Sequence, residues 1–486
     1  MLMTSTALAA TITINRDSTW NENAEEANAT YTYYKIFDAK DIDQEVDAAT
    51  GAQTADSNKV AVYWVDSLAK AQVLPSLFKV SNKAPSAVTA ADAAADGKFY
   101  VTLADDSTSA ADIAAALKTM VDANTALFPG SSVTSNANPV VLPETGTLTN
   151  GYYLIEASNG SVLAVQTLDD VTIIEKNDYP KVDKKQGEDA TTITYADDET
   201  TVKVGDYINY QVTVTIPANA NKDIVVGDIM SAGLEYDSTT GLTYSPDISS
   251  SIATVASTDA GYNANATWQI KIPAATVIAN KGTDVVITYR AKVTAAALTD
   301  TDKENEVTLT YDEGNYVVKD TVEYDTYFGG IYKVDPKDDS ADMSGVKFTL
   351  ADGDGNAINV TYDSTNGYYV VDPDSNSNEV ETRVDGSYYT IKIRGLDGDV
   401  TYKLTETETV SGYNLLEGDT TLTLYKEGDV DFATKAGNTF DKVENNKGTV
   451  LPSTGGIGTT IFYVAGAVLV LGAAAIVIAR RKAEQQ

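Results

Sequence analysis

The sequence predicts a mainly β protein: a tandem array of β-sandwich domains, the first β-rich with a helical insertion, ending in a C-terminal transmembrane helix. Three observations predict it. Two stretches, Ile208–Ile216 and Val285–Val293, alternate apolar and polar residues with a period of two, as strands with one buried face do. Short β-branched and aromatic runs recur along the chain between Gly, Asn, Asp and Thr turns, the pattern of a sandwich. Residues 457–479 form one uncharged apolar run, and a helix rising ~1.5 Å per residue over that length spans a hydrocarbon core of ~30 Å.

Composition narrows the function. A chain of 486 residues holds about three domains. Thirty-five basic against 70 acidic residues give a net charge of −35, which excludes nucleic acid and anionic membrane surfaces as partners and favours a self-repelling, soluble exterior. Cysteine is absent, so no disulfide reinforces the fold. Histidine is absent too, which removes Ser-His-Asp, Cys-His and His-metal chemistry. We expect no enzyme, no cofactor and no metal.

In chain order, residues 1–10 have the form of the end of a secretory leader, with an Ala-x-Ala site at Ala7-Leu8-Ala9 but no basic start; we expect a truncated signal peptide. The first domain, 11–178, has strands expected at Tyr31–Phe37, Val60–Val65, Phe99–Leu103, Tyr152–Ile155 and Val171–Ile174. Between them Ser109 caps a helix on which Ile113, Leu117 and Val121 share a face. Pro180 then enforces an extended linker around Asn177–Lys184. The middle domain, 179–322, reads as wholly β. A third β domain covers 323–448, and 451–486 holds a short motif at 451–455, the apolar run 457–479 and a basic tail at 480–486. The acidic turns Asp352–Asn356 and Asp372–Asn376 read as hairpin turns, since neither carries the closing bidentate Glu of a calcium loop.

Several polar residues fall on the apolar parity of their strands. Asn305 aligns with Val307, Leu309 and Tyr311, and Asp228 with Ile224 and Val226. In the third domain Lys333 aligns with Ile331, Glu406 with Tyr402 and Leu404, and Asn445 with Val443. A charge carried into a sandwich core is costly, and a lysine or carboxylate there shifts toward its neutral form. An amine made neutral beside an amide is a nucleophile. Lysine Nζ can then attack an asparagine carbonyl with loss of ammonia, a neighbouring carboxyl moving the proton, and folding itself supplies the effective molarity.

Leu451-Pro452-Ser453-Thr454-Gly455, followed by an apolar span and Arg480-Arg481-Lys482, resembles the cell-wall sorting signal of Gram-positive surface proteins, in which a sortase cuts between the Thr and the Gly. A second pentapeptide, Leu142-Pro143-Glu144-Thr145-Gly146, is followed by a turn and strand and reads as a folded loop. Tyr179-Pro180-Lys181 at a domain junction resembles the pilin motif of Gram-positive backbone pilins. The run Glu406 to Gly412-Tyr413 resembles the E-box of collagen-adhesin B-type domains, with Thr409-Val410 in place of the usual Ala-Pro.

These resemblances imply tandem immunoglobulin-like domains and a backbone pilin polymerised by a class C sortase, with Lys181 as the nucleophile and Thr454 as its acceptor. They also assign the internal isopeptide partners: Lys184, Asn305 and Asp228 in the middle domain, Lys333, Asn445 and Glu406 in the third. Lys185 remains an alternative to Lys184, because a slip of one residue exchanges their faces. In the first domain Arg16 shares parity with Ile12 and Ile14, and a guanidinium keeps its proton, so no bond is expected there. The implied partners are the sortase, identical subunits, accessory pilins and peptidoglycan, with the membrane only before sorting and the cell surface as destination. The rival readings are a monomeric sortase-anchored adhesin and a minor tip or base pilin.

Overall fold

The computed structural model describes residues 10–16, 26–41, 45–46, 53–54, 61–82, 98–158, 160–175, 179–188, 192–428, 440–448 and 457–483. The chain forms two compact units, 1–325 and 326–486. The leader segment 1–9 and the sorting pentapeptide Leu451–Gly455 lie outside the described residues.

The first unit contains two sheet systems. In the N-terminal system, Ile12–Arg16 lies between Val140–Leu142 and Val171–Glu175, and a larger sheet is built around the long strand Ala29–Asp41. That strand exceeds the expected Tyr31–Phe37 at both ends because it changes partners along its length, pairing with Gly130–Ser135 at one end and Ala61–Val65 at the other. The expected helix forms as Ala110–Ala123, its Ser109 side chain accepting from the Asp112 amide and its Ile113, Leu117 and Val121 buried. Leu142 of the second pentapeptide is fully buried and pairs with Ile12, and Glu144–Gly146 form an exposed bend that follows directly from that strand.

The second system is a sandwich. One sheet runs in the order Lys181–Glu188, Tyr207–Ile216, Thr283–Val293, Leu234–Tyr236; the facing sheet contains Tyr316–Asp325, Glu304–Tyr311, Ile224–Met230 and Trp268–Ile272. Their inner faces meet in one core, to which Val212, Val214, Ile287, Val226, Val307 and Leu309 contribute fully buried side chains. Each such residue stabilises the fold by about 1.5–3 kcal/mol relative to exposure. The expectation of a wholly β middle domain is corrected by a short helix, Ala274–Ala279, which starts after Pro273 and whose first amide is held by Asp223 Oδ1 at 2.7 Å. The short strand Glu26–Ala27 pairs with Tyr316 and Val317, tying the N-terminal system to this sandwich.

In the second unit, Tyr327–Val334 is the central strand of one sheet, flanked by Tyr388–Leu396 on one side and by Leu424–Lys426 and the parallel strand Asp441–Glu444 on the other. The second sheet places Lys347–Asp352 beside Tyr402–Glu408. Ile331, Phe348, Leu350, Ile391, Ile393 and Leu404 are fully buried. The turn after Lys347–Asp352 is closed by Asp352, whose Oδ1 accepts from the amides of Asp354 and Asn356.

Residues 457–483 form one helix. Among the described residues no helix is long and apolar enough to cross a membrane. The spanning role of 457–479 remains a proposal.

Candidate functional site

Strand register assembles the middle-domain site from both sheets. Lys184 lies opposite Val212 on the edge strand of one sheet, while Asp228 opposes Val307 and Asn305 opposes Met230 in the other. All three side chains turn inward, and Lys184 is 1% exposed, Asp228 and Asn305 0%. Lys184 Nζ donates to Asp228 Oδ2 at 2.5 Å. The ring centroids of Tyr210 and Tyr289, themselves stacked 5.2 Å apart, lie 5.4 and 5.8 Å from Nζ and wall the lysine in. Burial pulls the Lys184 amine below its ordinary value against the opposing charge of Asp228, and burial raises the Asp228 carboxyl. Both shifts favour a neutral amine beside a neutral acid.

The choice between the adjacent lysines is decided by their faces. Lys185 is a third exposed and pairs with Asp183 and Asp197 on the outer surface. It cannot reach Asp228 from there without reversing the register.

Two residues unread in the sequence complete this site. The Tyr289 hydroxyl donates to Asp228 Oδ2 and accepts from Asn305 Nδ2 at 3.1 Å. Tyr289 shares apolar parity with Val285 and Ile287, so its pattern signals only core. Asp320 accepts from the backbone amide of Lys184 at 2.6 Å, satisfying an outward-facing group of the edge strand and fixing the lysine in place. Asp320 shares parity with buried Val318 and Val322, so strand period marks it as a polar residue on the inner face.

The third-domain site follows the same logic with different strands. The parallel pairing of Lys333 with Val443, and the Asn445 amide donating to Val334 O at 2.7 Å, place Asn445 just past the end of the strand that runs beside Lys333. Glu406 faces them from the other sheet, where it lies opposite Phe348 beside a register shift. Lys333 Nζ donates to Glu406 Oε2 at 2.9 Å, both side chains being fully buried, and lies 5.4 Å from the Phe348 ring centroid. Burial lowers the Lys333 amine, with Glu406 opposing. Asn445 Nδ2 donates to Thr409 Oγ1 at 2.7 Å. The Gly412-Tyr413-Asn414 loop clamps the segment carrying Asn445: Asn414 N donates to Asn446 O, Gly448 N to Gly412 O, and the Tyr413 hydroxyl to Asp335. Gly412 has φ +90°, which explains its residue type. Among the described residues Asp228 Oδ1, Asn305 Oδ1 and Glu406 Oε1 are buried without a hydrogen-bond partner.

The N-terminal system holds a different arrangement at the matching parity. Arg16 opposes Glu175 in a parallel pair, both are buried, its Nη2 donates to Ser135 O at 2.6 Å, and the Tyr31 hydroxyl donates to Glu175 Oε2.

The motif Tyr179-Pro180-Lys181 combines buried anchors with an exposed amine. Tyr179 is 6% exposed and stacks on Tyr316 at 4.5 Å, Pro180 is buried, and Lys181 opens the edge strand with its side chain exposed, opposite Thr215. Among the described residues no cluster of acidic side chains has the form of a metal site.

Residues 443–484 match the family described as the LPXTG cell wall anchor motif, and residues 329–438 match the SpaA family, described as a prealbumin-like fold domain. No curated protein matches the chain. Among solved structures it is similar to the major pilin SpaA of Corynebacterium diphtheriae, at 14% identity and TM-score 0.43 over 90% of this chain and 100% of that one. It is also similar to the T6 backbone pilin of serotype M6 Streptococcus pyogenes, at 16% identity and TM-score 0.42 over 85% and 79%. A third likeness is to full-length RrgB of Streptococcus pneumoniae, at 15% and TM-score 0.37 over 92% and 100%. The anchor match makes the chain a cell-wall-anchored surface protein.

Proposed function

We propose that this chain, anchored to the cell wall through the motif matched at 443–484, is a pilin and the repeating backbone of a covalent fibre. A class C sortase cleaves after Thr454 of one subunit, and Lys181 of the next attacks the resulting acyl-enzyme to form an isopeptide bond. The observation that carries this reading is the setting of Lys181. Its neighbours Tyr179 and Pro180 are packed into the middle sandwich, so the backbone is fixed while the amine stays in solvent. A free linker lysine needs no such anchoring.

A bond from one end of a subunit to a different surface of the next is heterologous and does not close, which is the geometry of a filament. The fibre ends on peptidoglycan, and accessory pilins and adhesion are its expected associates. The chain acts as a sortase substrate rather than an enzyme.

Within each of the two sandwiches the buried triad is proposed to form an internal isopeptide bond, Lys184 to Asn305 with Asp228, and Lys333 to Asn445 with Glu406. Lys184 lies three residues beyond Lys181, and Lys333 and Asn445 lie near the two ends of the third domain, so tension along the fibre meets these bonds before strand hydrogen bonds. Force spectroscopy tests this role: short extensions are expected, and full unravelling of either sandwich would contradict it. The polymerisation itself is tested with Lys181→Ala, which is expected to abolish the high-mass ladder of surface extracts on denaturing gels. An unchanged ladder would favour other linkages, and a native chain without any ladder would favour a monomeric adhesin.

A further inference from the structure

In both buried sites the nitrogen of the asparagine amide, the atom that must depart as ammonia, is held by a side-chain hydroxyl. Asn305 Nδ2 donates to the Tyr289 oxygen at 3.1 Å, and Asn445 Nδ2 donates to Thr409 Oγ1 at 2.7 Å. The two hydroxyls have unrelated origins: Tyr289 sits within Thr283–Val293 in the sheet facing Asn305, and Thr409 directly follows Tyr402–Glu408. Thr409 is also the residue at which this chain departs from the usual alanine of the E-box, and an alanine has no group to offer the amide.

Tyr289 touches the carboxyl as well as the amide, since its hydroxyl donates to Asp228 Oδ2. With its proton directed to Asp228, its lone pairs are what remain for the amide, so the amide presents nitrogen to it and leaves Asn305 Oδ1 without a partner. Ammonia is a far better leaving group than an amide anion, so the nitrogen needs one proton before its bond to carbon breaks.

We propose that Tyr289 and Thr409 hold the departing amide nitrogen in place and that Tyr289 also delivers its final proton, an inference that rests on the two internal isopeptide bonds proposed above. The atoms balance without a co-reactant. Neutral Lys184 Nζ attacks Asn305 Cγ, and a new C–N bond forms. The neutral Asp228 carboxyl passes its proton to the Tyr289 oxygen as Tyr289 gives its own to the amide nitrogen, the old C–N bond breaks, and ammonia leaves. Nζ gives up one of its two protons to the Asp228 carboxylate so formed. Tyr289 and Asp228 end as they began. In the third domain Thr409 acts as a positioning residue for Asn445, with Glu406 as the proton carrier.

Peptide mapping of the full chain at timed points after a pulse of synthesis reads the Lys184–Asn305 and Lys333–Asn445 bonds separately, each serving as the control for the other. Tyr289→Phe is expected to slow the first bond at least tenfold and leave the second at its parental rate. Thr409→Val is expected to do the reverse, and Thr409→Ser to restore the rate. Tyr289→Phe in an Asn305→Ala background, where no bond can form, loses the hydrogen bond to Asp228 and is expected to lower the melting temperature while melting stays cooperative; non-cooperative melting there would assign the slowed bond to a loosened core and overturn the proposal. Parental rates in both variants would overturn it as well while leaving the internal bonds intact. A parent chain with neither bond would overturn the underlying reading along with it.

Discussion

Lys184 Nζ lies 2.5 Å from Asp228 Oδ2 with both side chains fully buried, and the two residues belong to opposite sheets of one sandwich. Unreacted, such a pair is a poor source of stability, because desolvation offsets its attraction, yet removing one partner strands the other. In an Asn305→Ala background Asp228→Ala should therefore leave the Lys184 amine buried without its partner and destabilise the middle sandwich by about 1–3 kcal/mol, and adding Lys184→Met should recover most of that loss. Chemical denaturation checks both. Equal stability of the single and double variants would mean that the lysine escapes to solvent when its partner is removed.

The pH dependence of bond formation follows from the direction of the lysine shift. Burial lowers the Lys184 amine from an ordinary value of about 10.4, so it is neutral at pH values where a free lysine is still protonated. Burial raises Asp228, which keeps its proton above the usual carboxylate range. Bond formation should thus proceed at neutral pH and slow in acid as the amine takes up a proton. Timed peptide mapping over about pH 5 to 9 measures it. A rate that rises tenfold per pH unit toward pH ~10 would describe an ordinary exposed lysine instead.

Lys181 and Tyr179 should separate chemistry from packing. Lys181→Ala removes an exposed side chain and should shift stability by less than about 0.5 kcal/mol while abolishing polymerisation. Tyr179→Ala removes a buried ring stacked on Tyr316 and should cost about 3–5 kcal/mol, as buried aromatic truncations do. Thermal melts and denaturing gels of the two variants read both effects. A large stability loss in Lys181→Ala would place that lysine in the fold rather than at the junction between subunits.

Much of this architecture was legible from period and punctuation. Ser109 and the spacing of Ile113, Leu117 and Val121 identify the helix Ala110–Ala123, because cap and apolar face agree. Asn305, Asp228, Lys333, Glu406 and Asn445 stand out because strand parity carries them into the core against their polarity, and each is buried. What escaped was whatever parity cannot encode. The hydroxyl of Tyr289 is hidden in a residue that is apolar by pattern. The pairing of Glu26–Ala27 with Tyr316–Val317 joins segments far apart in sequence with no local signal, and Ala274–Ala279 is a single short helix held by Asp223, which directly precedes the strand Ile224–Met230. The choice between Lys184 and Lys185 needed the register with Val212, which only the folded sheet supplies.

The central claim is a covalent bond between the Thr454 carbonyl of one subunit and the Lys181 amine of another. Proteolysis of native surface fibres followed by mass spectrometry measures it directly. A branched peptide joining the chain ending at Thr454 to the segment containing Lys181 is the expected product. Complete recovery of the Lys181 peptide in unbranched form from high-mass material would contradict the claim.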